Sequence, residues 1–174
     1  MLPPAVLRLR ALRAGLGMGA SVAAGLAALA IAALLVGLVA GRALGLNIVW
    51  IPEATRIVFI WGVALGALAV SCGREHFKVE IFGREDPDRP GLFALARTCL
   101  AVALLAYVAV GGYPTIQAAA MQAFAALPFS YSLMRSAVIL GLAGMCLAEV
   151  LVLAEQAWLI AARPPGGHDP GAAR

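Results

Sequence analysis

The chain has 174 residues, of which 63% are hydrophobic and only 13% are Asp, Glu, Lys or Arg, and its mean hydropathy is +0.93. This composition excludes a water-soluble globular domain, which would expose too much apolar surface, and makes the bilayer the solvent. The net charge of +4 comes with no basic patch interleaved with aromatic side chains, so a nucleic-acid partner is excluded as well.

Four helices are predicted, taken here in chain order. Residues 1–14 form a basic segment with Arg8, Arg10 and Arg13, followed by 28 residues without charge from Ala14 to Gly41. A helix near 15–41 follows from that run. Its apolar length is about twice the 7 to 15 residues of a signal-peptide core, so it stays as an anchor. Ile57 to Gly73 is charge-free over 17 residues and predicts a second helix near 56–73. Then charge returns abruptly in "GREHFKVEIFGRE", where Phe77, Val79, Ile81 and Phe82 alternate with ionisable groups. Such a segment is suited to lie amphipathically in the headgroup layer, although a solvated turn explains the charges equally well. Thr98 to Met134 is charge-free over 37 residues, too long for one crossing of ~30 Å at 1.5 Å per residue. The "GGYP" at Gly111 to Pro114 is predicted to end a third helix near 91–112. A fourth helix is predicted near 131–161, carrying Glu149 and Glu155. The Pro/Gly-rich tail 163–174 completes the chain as a disordered end. The predicted fold is thus an all-α integral membrane protein with a four-helix domain over 15–162.

Basic residues set the orientation. Arg8, Arg10, Arg13, Arg74, Lys78, Arg84, Arg89, Arg163 and Arg174 fall on one side, against Arg42, Arg56 and Arg135 on the other. The positive-inside rule then places both termini and the middle loop in the cytoplasm, in contact with anionic lipid heads.

Sites for chemistry are few. His76 sits at an interface and His168 in the tail, and no zinc-protease, nucleophile-elbow or P-loop pattern occurs, so a membrane enzyme is disfavoured and no cofactor or metal is expected. Cys72, Cys99 and Cys146 have no paired spacing and read as packing residues. Two readings are open: a self-sufficient, proton-coupled dimer working through Glu149, and a scaffold whose Gly37/Gly41, Gly41/Gly45 and Gly62/Gly66 spacings allow close helix approach. A carboxylate at Glu149 is costly in hydrocarbon and needs a partner. Measured from Gly112 and Arg135 as outer ends, Arg97 is roughly 22 Å down the third helix and Glu149 roughly 21 Å down the fourth. An Arg97–Glu149 ion pair is therefore predicted; the alternative is an Arg97 that snorkels to the headgroups.

The run "WIPEATRIVFIWGVALGALAVSCGREHFKVEIF" resembles the signature of the small membrane subunit of tripartite ATP-independent periplasmic (TRAP) transporters, the DctQ-type family. The matching positions are Trp50, Glu53, Arg56, Trp61, Gly66, His76, Val79 and Glu80, with Glu80 in place of the more usual Asp. "ALPFSYSLM" resembles the family segment leading into the last helix, at Leu127 and Pro128. The resemblance is specific over Trp50 to Phe82 and extends in helix count to nearly the whole chain. It implies a subunit of the bacterial inner membrane that packs as a static scaffold beside a large permease subunit, which moves with sodium ions a solute captured by a periplasmic binding protein. It carries over no catalytic, substrate, cofactor or metal residue. The residues themselves also allow plainer roles. Glu53 and Arg56, three apart, would face each other as a surface ion pair, worth ~0 to 1 kcal/mol. Trp50 suits an interface anchor, Trp61 helix packing, and His76 the bend from helix to interface.

Overall fold

The computed structural model of the chain describes residues 4–73 and 92–161. Four helices fill them: α1 (Pro4–Ala43), α2 (Trp50–Gly73), α3 (Leu92–Ala120) and α4 (Ser132–Ala161). Each is long and apolar enough to cross a membrane. Among the described residues there is no strand, only an isolated antiparallel bridge between Ala123 and Ser130. The chain is an all-helical, multi-pass membrane protein.

The helices start and stop at places that charge alone did not mark. With 40 residues, α1 is about 60 Å long at 1.5 Å per residue, twice the hydrocarbon thickness. It begins near Pro4 rather than 15, because Arg, Leu and Ala are all good helix formers and Pro fits a first turn. A charge shows where a helix leaves hydrocarbon, not where its hydrogen-bond ladder ends. Gly45 terminates this helix with φ +75°. The Gly45 N–H donates to the carbonyl of Arg42 at 3.0 Å and the Leu46 N–H to that of Gly41 at 2.9 Å, a Schellman turn that needs a residue free of left-handed strain. Gly41/Gly45 is therefore the end of a helix and not a packing pair.

α2 starts at Trp50, six residues ahead of the expected position, with Pro52 in the first turn where no N–H is needed. α3 runs through Pro114 to Ala120 instead of ending at 112. Leaving the helix within a membrane would strand backbone polar groups, so a proline is carried inside it. The hydroxyl of Thr115, next to the proline, donates back to the carbonyl of Gly112 at 2.6 Å. Thr55, Ser71 and Thr98 likewise donate to carbonyls one turn back at 2.9 to 3.0 Å, which hides each hydroxyl from lipid.

Small residues set the helix order. Without a hydrophobic drive between helices in lipid, close van der Waals contact holds them. A Cβ placed on Gly17 would come within 2.7 Å of the Cys72 Cβ, one on Gly62 within 3.1 Å of the Ala27 Cβ, and one on Gly66 within 4.0 Å of the Ala24 Cβ. These contacts define an antiparallel α1–α2 seam and give the predicted Gly62/Gly66 spacing its partner. Gly141 lies against Ala64 and Gly144 against Leu68, so α2 and α4 run parallel. Gly112 meets Ile139, and the Cys146 thiol lies 3.9 Å from the Val102 carbonyl, so α3 and α4 are antiparallel neighbours. Among the described residues α3 packs on α4 and on neither α1 nor α2, while α1 also touches α4. The order across the protein is α1, α2, α4, α3. All three cysteines are free thiols, with Cys72 buried in the α1–α2 seam.

Candidate functional site

Polar side chains gather at the two ends of this helix row. At the end where α1 begins and α4 finishes, Glu155 is the centre of a buried cluster, only 1% exposed. Its Oε1 accepts from Arg10 Nε at 2.6 Å, and its Oε2 lies 3.7 Å from Arg13 Nη1. Arg10 and Arg13 are three residues apart, so the helical extension of α1 presents both on one face. Glu155 continues the buried face of α4 that holds Ala137, Gly141, Ala148 and Val152. One carboxylate thus serves two guanidinium groups in a water-poor setting, tying the first helix to the last.

The opposite end is tied differently. Residues 122–131 fold back on themselves between α3 and α4: Phe124 N–H donates to the Phe129 carbonyl at 3.0 Å and Tyr131 N–H to the Gln122 carbonyl at 2.9 Å. The rings of Phe124 and Tyr131 stack with centroids 4.2 Å apart. Glu53, in the first turn of α2, reaches this turn with both carboxylate oxygens. Oε1 accepts from Ala125 N–H and Oε2 from Ala126 N–H, each at 3.0 Å. This two-pronged grip stands in place of the expected Glu53–Arg56 pair, with two charge-assisted bonds from consecutive backbone N–H groups. Ion pairs among the described residues do not include Glu53.

The remaining predicted positions distribute around these two ties. Trp50 is 46% exposed beside the buried Ile51, Trp61 is half-buried within α2, and Gly66 faces α1. Arg56 is exposed, and Pro128 is exposed on the turn that Glu53 holds, with Leu127 half-buried beside it. So Glu53 and the "LP" segment, far apart in sequence, belong to one construction. Arg97 is exposed and Glu149 half-buried on adjacent helices. Counting five residues back from Val102 and five on from Cys146 puts Arg97 opposite Leu151, two residues from Glu149 and about 3 Å from its level. We propose that the two side chains pair. His76, Val79, Glu80, the interfacial segment and the tail 163–174 lie outside the described residues.

Reasoning from sequence missed Glu155, Arg10 and Arg13. The available signal was the i, i+3 spacing of two arginines before an apolar helix, which on an extended α1 puts both toward a neighbour. It also missed the Phe124–Tyr131 stack. Among the described residues, no three His, Cys, Asp or Glu side chains converge on a point that suits a metal ion. What the geometry does chemically is hold: an ion pair at one end, backbone donors on a carboxylate at the other, glycine seams between.

No curated protein and no solved structure matches the chain. A family model does: that of the tripartite ATP-independent periplasmic transporters, DctQ component, over residues 31–158, from the last third of α1 to near the end of α4. With the match covering most of the chain, including the whole of α2 and α3 and nearly all of α4, the protein belongs to the DctQ component family of the TRAP transporters.

Proposed function

We propose that this chain is the small scaffold subunit of a TRAP transporter in the bacterial inner membrane, supporting a large permease subunit in sodium-coupled uptake of a solute delivered by a periplasmic binding protein. The observation that carries this reading is the way both ends of the helix row are tied by contacts between segments distant in sequence, Arg10 and Arg13 to Glu155 and Glu53 to Ala125 and Ala126. Such ties suit a rigid support. The test is reconstitution. Liposomes holding the large subunit together with this chain, supplied with the binding protein and the solute that co-purifies with it, are expected to accumulate that solute under a sodium gradient. Liposomes holding this chain alone are expected to accumulate none, and solute flux through them under a sodium or proton gradient would overturn the scaffold role.

The proposed orientation has both termini in the cytoplasm, on the nine-to-three distribution of basic residues between the two sides. The Glu53 turn then faces the periplasm. In a background without Cys72, Cys99 and Cys146, single cysteines at Asn47 and Gln122 are expected to react with an impermeant maleimide in intact spheroplasts. Cysteines at Asp86 and Gly167 are expected to react only after permeabilisation; the reverse pattern inverts the orientation.

A further inference from the structure

Helix α3 carries a polar group where lipid cannot satisfy it. Tyr107 is 78% exposed, and no hydrogen bond from another described residue reaches its hydroxyl. Its depth follows from the register of α3 against α4. Arg97 lies ten residues before it, about 15 Å. The Gly112–Ile139 contact puts Arg135 level with Ile116, nine residues beyond Tyr107, about 13 Å. The phenol is therefore near mid-membrane, more than its own length from either charged level. Exposed Trp50 and Trp158, by contrast, are at helix ends, where aromatic residues with polar atoms are at home. Hydrocarbon tails offer a hydroxyl nothing to bond.

The same face carries a backbone carbonyl that lacks its usual helical donor. Pro114 brings no N–H to the carbonyl of Val110, the acceptor one turn back. Val110 is 74% exposed and lines a shallow groove with Ala103, Tyr107 and Gly111. Thr98, buried against α4, is nine residues or two and a half turns from Tyr107, so Tyr107 points away from α4, the one helix that α3 packs on among the described residues. A donor and an acceptor beside small residues make a seat for a polar transmembrane helix.

We infer that this face of α3 is where a transmembrane helix of the large permease subunit docks, presenting an acceptor oxygen to the Tyr107 hydroxyl near the membrane centre. The inference rests on the small-subunit reading above and deepens it. A second copy of the chain fits the face less well: an isologous pair about an axis normal to the membrane brings Tyr107 against Tyr107 at one depth, and two protruding rings hold the helices apart. A partner with a complementary hollow does not meet that obstacle.

The experiment uses the assembled complex. p-Benzoylphenylalanine is installed at position 107, and separately at Leu29 on the exposed side of α1, in the chain co-expressed with its large subunit. Irradiation is expected to join position 107, and not position 29, to the large subunit. In parallel Tyr107→Phe, which keeps the ring, is expected to weaken retention of the large subunit about threefold, the typical effect of one interhelical hydrogen bond in a membrane. Adducts of position 107 with lipid or a second copy only, or retention unchanged in Tyr107→Phe, overturn the inference while the large subunit still co-purifies. Failure of the unaltered chain to co-purify with the large subunit refutes the small-subunit reading and this inference together.

Discussion

Replacing Glu155 by leucine is expected to cause the largest loss of stability of any single polar substitution in the described residues. The carboxylate is 1% exposed and faces Arg10 at 2.6 Å and Arg13 at 3.7 Å. Removing one partner from a buried ion pair costs ~3 to 5 kcal/mol, mostly because the other charge is left without compensation. The Arg10 side chain keeps 30% of its surface exposed and that of Arg13 12%. Screening at that edge moves the expectation to the lower part of the range. Arg10→Leu alone should cost less, since Glu155 keeps Arg13. The triple replacement Arg10→Leu, Arg13→Leu, Glu155→Leu should regain a good part of the loss, because no charge is left stranded. Thermal melts of the assembled complex decide it, and losses that simply add across the three positions would show that the cluster does not tie α1 to α4. The same logic serves Arg97→Leu and Glu149→Leu. Partial recovery in their double replacement supports the proposed pair, and strict additivity removes it.

The contrast between Glu149 and Glu155 shows what the sequence could and could not reveal. Depth along a helix is readable from residue counts, and depth made Glu149 the conspicuous acid because it lies further into the apolar run. Which face an acid presents, and to which helix, depends on the helix order, and nothing in the local pattern of α4 states that α1 is near its end. The three early arginines were read through their charge alone, as markers of the cytoplasmic side. Once α1 is seen to continue as helix to Pro4, Arg10 and Arg13 become side chains with a direction, and Glu155 is the carboxylate within reach. Similarly, glycine spacing identified Gly62/Gly66 as a close-packing face but promoted Gly41/Gly45, whose role is set by the left-handed φ of Gly45. Gly141 and Gly144, three apart, bring α4 close onto Ala64 and Leu68 of α2 without any G-x-x-x-G spacing. Four spans, by contrast, were legible from composition, since the length of charge-free runs is a direct measure against the thickness of the hydrocarbon.

Glu53 was legible as a motif position but not as a chemical one. Its sequence neighbour Arg56 suggested a local pair, whereas its oxygens are occupied by N–H groups 72 and 73 residues away. The consequence is measurable. In Glu53→Ala the amides of Ala125 and Ala126 lose their acceptors and the turn loses its tie to α2. Hydrogen bonds to a charged group contribute ~1.5 to 3 kcal/mol each when shielded, but both of these are exposed to solvent, so water replaces part of what is lost. A total cost of about 1 to 3 kcal/mol is expected on that basis. Glu53→Gln keeps one carbonyl oxygen and turns the other end into a donor, so one of the two N–H groups meets an NH2 instead of an acceptor. It should therefore fall between wild type and Glu53→Ala, closer to the latter. Hydrogen exchange gives the site-specific readout: the amides of Ala125 and Ala126 should exchange faster by an order of magnitude or so in Glu53→Ala, while the Tyr131 amide, held by the Gln122 carbonyl within the turn itself, should change less. Equal protection of Ala125 and Ala126 in the variant and the unaltered protein would mean that the turn holds its shape without the carboxylate. Arg56→Ala serves as the control; because Glu53 does not lean on Arg56, it should leave both amides protected.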